Sequence, residues 1–170
     1  MRILAVALVS SAALGAVAAP SEACGDKLLV IGRRVKRVPQ AKHPASVLLY
    51  LRPGSALPIA AKEMKLETTL RQAGHRVETL DRAEQLRSQL AGGHYDFVLT
   101  DLADATPVAR EAGSVPGAPG IVPVAHKAGE AALRDSRATY PVVIQAGKSL
   151  SYLSALDAAM RRREGAGTDN

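Results

Sequence analysis

From residue 46 onward the chain alternates two hydrophobic patterns. SVLLYL at 46–51 is a continuous apolar run, as expected of a strand covered on both faces. RPGSALP at 52–58 is a loop punctuated by Pro53, Gly54 and Pro58. From Ile59 to Ala73, apolar Ile59, Met64, Leu66 and Leu70 are spread among charged residues, which predicts one helix, with Gly74 as its stop. RVETL at 76–80 alternates as a half-buried strand. Asp81 is a candidate N-cap for a helix through Leu90, and Gly92 and Gly93 end it. Tyr95 to Thr100 is the next buried strand, followed by a short helix at 107–112 and the loop SVPGAPG. IVPVAH at 121–126 reads as a strand whose Pro123 argues for an edge or a strand end. A helix at 128–138, a strand at 140–145 and a helix at 149–163 complete the series. The last helix carries Leu150, Leu153, Leu156 and Met160 on one stripe.

Strand–helix units repeated five times give a parallel sheet with helices on both faces, because right-handed crossovers leave few other topologies. The expected fold is therefore α/β: a flavodoxin-like, doubly wound, five-stranded parallel sheet. The regular region runs from 46 to 163, and 164–170 reads as a disordered tail. Before it, residues 24–45 form an arm or linker. KLLVIGRRVKRV within that arm predicts an added strand or extended segment, joined either to the sheet or to a second copy of the chain as a homodimer.

The first residues change the picture of where this domain works. Arg2 is followed by an apolar, Ala-rich run from Ile3 to Ala19, short for a membrane span, which needs roughly 20 strongly apolar residues. It fits a secretory signal peptide over residues 1–23, with small residues suited to cleavage after Ala18 or after Ala23. Export to a bacterial periplasm follows as the expectation. Cys24 is the only cysteine, so no internal disulfide forms. Its place directly after Ala23 raises lipidation, although Ser21 and Glu22 depart from the usual apolar lead-in to a lipid-attached cysteine. Membrane attachment would need that lipid or a retained signal segment.

The net charge of +6 is partly local. Arg33, Arg34, Lys36 and Arg37 form one basic cluster and Arg161, Arg162 and Arg163 another. With no Trp and a single Phe the chain lacks stacking platforms for single-stranded nucleic acid, so nucleic acid is not an expected partner.

The chemistry concentrates in YDFVLTDLAD, residues 95–104. A buried strand there runs out onto Asp101, at the carboxyl end of a central strand, where open α/β sheets place their ligand crevice. Together with the fivefold alternation, this stretch resembles the receiver domain of two-component response regulators over residues 46–163. The resemblance puts Asp101 at the phosphoacceptor position. It also implies an acidic pair after the first strand to hold a divalent cation, a Ser or Thr ending the fourth strand, and a Lys ending the fifth.

The chain departs from that pattern at each of these three places. The first strand ends in Leu51, Arg52 and Pro53; beside any ligand role, Asp101 is expected to pair with Arg52 or to cap the following turn, and Asp104 to act as a helix cap. The fourth strand ends in Ala125 and His126. The fifth puts Gln145 where the lysine belongs, with Lys148 three residues further on. The reading is an exported pseudo-receiver: a non-catalytic module that binds a protein partner of unknown identity through a crevice formed by Arg52, Asp101, His126, Gln145 and Lys148. Two alternatives stand beside it: a working phosphoacceptor with Asp101 as nucleophile, and an envelope protein anchored by lipid on Cys24.

Other motifs add no chemistry. GKS at 147–149 lacks the upstream glycine of a phosphate-binding loop, since Val142 stands there. His43, His75, His94 and His126 show no helical metal spacing and read as surface or loop residues. There is no GxSxG elbow, and no cofactor or metal is expected.

Overall fold

A computed structural model describes residues 28–31, 34–147 and 149–167. The expected signal segment, Cys24 and Lys148 lie outside the described residues. Strands β1 (Leu28–Ile31) and β2 (Arg34–Arg37) pair antiparallel, Leu28 opposite Arg37 and Ile31 opposite Arg34. The arm is thus a hairpin, where the pattern alone predicts one strand.

The domain follows as β3 (Ser46–Tyr50), α1 (Leu57–Glu63), α2 (Leu66–Gln72), β4 (Arg76–Leu80), α3 (Leu86–Gly92), β5 (Phe97–Asp101), α4 (Ala105–Ala112), β6 (Gly120–Ala125), α5 (Glu130–Thr139), β7 (Ile144–Gln145) and α6 (Ser149–Gly167). Single 3₁₀ turns at Ala83–Gln85 and Leu102–Asp104 lead into α3 and α4. The five strands from β3 onward form one all-parallel sheet in the order β4-β3-β5-β6-β7, the flavodoxin-like arrangement.

Both sheet faces are covered, and the period-2 alternation of the central strands shows how. Val47 and Leu49 of β3, with Phe97 and Leu99 of β5, pack into one cluster with Leu57 of α1, Leu66 and Leu70 of α2, and Tyr152 and Leu156 of α6. Leu48, Tyr50 and Val98 face the other way, onto Leu86 and Leu90 of α3 and Val108 and Ala112 of α4. Continuous apolar runs are what such two-sided burial demands. Among the described residues no helix is long and apolar enough to cross a membrane.

Several further elements differ from the sequence pattern. The single helix expected from Ile59 to Ala73 is two, broken at Lys65, whose φ of 48° is left-handed. At 100° per residue, Leu66 would sit about 180° around one continuous axis from Leu57, and Leu70 likewise from Ala61. All four are buried in the same cluster, so the helix must be rephased between them. That burial outweighs a left-handed residue costing roughly 1–2 kcal/mol.

The last strand is two residues long rather than six. Gly120 N–H donates to Asp96 on the β5 side, so alternation turns Ile121 and Pro123 toward β7. Pro123 has no N–H to offer there, and β7 pairs only beyond it, through Val124 and Ala125. Pro123 thus lies inside a paired strand, on a stretch whose second side is unpaired.

Asp81 caps nothing. The turn that starts α3 has Arg82 at its cap position and no side-chain cap bond. Gly74 does stop α2: at φ 102° it lets its own N–H reach Arg71 O and the His75 N–H reach Leu70 O. α6 continues to Gly167, past the expected end at 163.

Candidate functional site

The loop after β3 turns on itself, with the Ser55 N–H and hydroxyl both donating to Arg52 O. This turn delivers the start of α1 to the end of β5. Ala56 stands at the cap position of α1 and has no side-chain oxygen to offer, while Pro58 occupies the first turn. The missing cap arrives from across the sheet. Asp101 Oδ2 accepts from Ala56 N–H and Leu57 N–H, both at 3.2 Å. Its Oδ1 accepts from Ala103 N–H at 3.1 Å, closing the 3₁₀ turn that leads into α4. Asp101 is 8% exposed. Three backbone donors therefore converge on one carboxylate, and the positive end of the α1 peptide dipoles points at it.

The rest of the YDFVLTDLAD stretch is also hydrogen-bonded into the fold. The Tyr95 hydroxyl donates to Glu78 at 2.5 Å and accepts from Gln89, joining β4 to α3. Burial, and then the bond to Glu78, push the Tyr95 pKa up. Asp96 Oδ2 accepts from Ser46 N–H at the start of β3.

Arg52 does not pair with Asp101. Its Nε donates to Asp104 Oδ1 at 2.6 Å. Asp104 stands at the cap position of α4 without capping it, because its carboxylate is turned to Arg52. The Asp104 side chain is 9% exposed against 43% for Arg52, and Asp104 Oδ2 is buried without a hydrogen-bond partner. The hydrogen bond and charge of Asp104 hold the Arg52 pKa above its ordinary value. Beside the pair lies Tyr50, whose pKa is raised first by burial, then by the charge of Asp104, with Arg52 opposing and Glu84 adding to the rise.

These residues form the inner end of a cleft of about 590 Å³ between α3 and α4 at the carboxyl end of the sheet. Leu86 and Val108 line it, and Arg87, Arg110 and Glu111 stand further along. Arg87 pairs with Glu111 at 2.9 Å.

The sequence-predicted residues separate in space. Arg52 lines this cleft; Asp101 sits behind it on the α1 backbone. His126 is exposed. Gln145 lines a different cavity of about 310 Å³ with Leu133, Arg134 and Arg137 of α5. Lys148 lies outside the described residues. Of the four histidines expected at the surface, His75 is instead buried, its Nδ1 accepting from Ala45 N–H at 3.1 Å. Among the described residues no three His, Cys, Asp or Glu side chains come together as metal ligands.

Asp104, three residues beyond Asp101 in the same motif, reads in the sequence as a helix cap; it stands at that position but its carboxylate is turned to Arg52 instead. A 3₁₀ turn, not a helix or strand period, sets its direction, and no pattern announces that turn.

Breaking the Arg52–Asp104 pair should be measurable. Removing one partner of a buried pair is strongly destabilising, but Arg52 is solvated, so we expect Arg52→Ala to lower the urea midpoint measurably and by less than loss of a buried partner would. An unchanged midpoint would mean that solvent already satisfies Asp104.

No protein-family model matches the sequence, and a search of curated proteins finds no match to it.

Proposed function

We propose that the chain is a receiver-like module that binds a protein partner and has lost phosphotransfer, and that its first residues export it to the periplasm. The observation that supports this reading is the engagement of Asp101 with Ala56, Leu57 and Ala103 N–H groups. A phosphoacceptor must offer a carboxylate oxygen in line with the incoming phosphoryl group, with cations to neutralise charge on the transferring oxygens. Here the oxygens serve as helix and turn caps. The loop after the first strand of the sheet supplies Arg52 rather than an acid, and its guanidinium is committed to Asp104.

In place of chemistry the module offers surfaces at the carboxyl ends of its strands, where this fold class places its ligands. The mature protein incubated with acetyl phosphate and magnesium, then examined by intact mass, tests the reading. We expect no phosphate-sized gain. A gain in the wild type that disappears in Asp101→Asn would make Asp101 a live acceptor and overturn the proposal.

A further inference from the structure

The cleft between α3 and α4 is electrically divided. Its inner end holds Asp104, Glu84 and the Tyr50 hydroxyl against the single cation Arg52. Asp104 is more than nine-tenths buried and has one oxygen, Oδ2, with no donor. A buried carboxylate oxygen without a partner is costly, and among the described residues Arg52 alone offsets the charge that Asp104 places at this end. Glu84, exposed on the rim, makes no ion pair among the described residues.

The outer end has the opposite balance. Arg87 and Glu111 neutralise one another, which leaves Arg110 as the excess charge, exposed and without an ion pair among the described residues. Arg110 lies six residues beyond Asp104 along α4, an axial rise of about 9 Å between their backbone positions at 1.5 Å per residue, and both line the cleft. The floor between the two ends is apolar, formed by Leu86 and Val108.

A ligand that fits this layout carries an amine at one end, a carboxylate at the other and small apolar groups between them. An extended peptide covers roughly 3.3–3.6 Å per residue, so three residues span about 10 Å from amine to carboxylate. A volume of about 590 Å³ lies within the range of small-ligand clefts, roughly 300–1,000 Å³.

We infer that the α3–α4 cleft is a binding site for a short unblocked peptide, its amino terminus at Asp104 and Glu84 and its carboxylate at Arg110. The inference rests on the chain being a binding module and names the ligand that one of its surfaces takes. Arg52 then holds Asp104 in place, and Arg87 with Glu111 forms the wall beside the carboxylate.

The test is an NMR titration of the ¹⁵N-labelled mature protein with tri-alanine, N-acetyl-tri-alanine and tri-alanine amide. Tri-alanine should produce saturable shifts centred on residues 83–87 and 103–111. Acetylation and amidation should each weaken binding at least tenfold. Glu84→Gln and Arg110→Gln change exposed side chains and leave the core alone. Glu84→Gln should shrink the penalty for acetylation, and Arg110→Gln the penalty for amidation. A flat titration in a folded wild type, equal binding of all three peptides, or penalties unchanged in both variants would overturn the inference. Acetyl phosphate labelling is read on a separate sample. A labelled Asp101 defeats the binding-module reading, whereas an inert Asp101 with a flat titration defeats the peptide site alone.

Discussion

Replacing Asp101 with alanine should destabilise the protein by about 3 kcal/mol. Three backbone N–H groups, of Ala56, Leu57 and Ala103, lose their acceptor at a position that is 8% exposed. A hydrogen bond to a charged acceptor contributes about 1.5–3 kcal/mol and an ordinary helix cap about 0.5–2 kcal/mol. Water reaching the strand end recovers part of the sum, which brings the expectation near 3 kcal/mol. Asp101→Asn keeps one acceptor oxygen but turns an amide NH₂ toward backbone donors, so it should lose an intermediate amount, about 1–2 kcal/mol. Urea unfolding checks both. With m of about 1–3 kcal/mol/M, the alanine variant should unfold at a midpoint lower by roughly 1–3 M, with m unchanged.

The direction of that result separates two roles for the same carboxylate. Side chains held ready for chemistry are commonly kept at a cost in stability, and their removal is then neutral or stabilising. A carboxylate that caps a helix and a turn behaves oppositely. An alanine variant within about 0.5 kcal/mol of wild type, or above it, would end the capping account and return Asp101 to the list of reactive groups.

The fold was legible because both of its sheet faces are buried. SVLLYL and YDFVLT stand out as apolar runs, since Val47, Leu49 and Leu99 face one helical layer while Leu48 and Val98 face the other. The amphipathic stretches between them could only be the covering helices. Breaks in this regularity were harder to see. Leu57 and Leu66 each fit a helix, and only the geometry of one continuous axis shows that they cannot share one face without the left-handed turn at Lys65. Pro123 signalled a local loss of pairing, but which side of the strand it would free depended on the register with β5.

The site was less legible than the fold, because its contacts are set by loops and 3₁₀ turns. Sequence places Arg52 and Asp101 at neighbouring strand ends and makes an ion pair between them reasonable. The turn through Ser55 instead offers α1 backbone to Asp101, and the turn at Leu102–Asp104 swings Asp104 under Arg52. A helix lacking its own cap residue, as at Ala56, was the one available signal that a distant acceptor was needed.

His75 supplies the second large effect, and here pH reports it. The ring is 4% exposed between α2 and β4. Its Nδ1 accepts from Ala45 N–H, so Nε2 carries the proton in the neutral ring, and Nε2 has no partner. Burial pushes the His75 pKa below the ordinary 6.5, and the charge of Asp157 recovers part of that shift. Protonation at Nδ1 would also set an N–H against the Ala45 N–H and break the bond at the start of β3. The unfolded chain therefore binds a proton more readily than the folded one. Stability from this group is fully present above about pH 6.5, falls as pH drops from 6.5 toward the lowered folded value, and is constant below it. His75→Ala should cost about 3 kcal/mol at pH 7.5, from a cavity and an unpaired Ala45 N–H. His75→Gln keeps an acceptor and should cost less. The decisive comparison is the slope of unfolding free energy between pH 7.5 and 5.5. Both variants should be flatter than wild type over that range, because the titrating ring is gone. An unchanged slope would assign the acid sensitivity to other groups and leave His75 as a packing residue only.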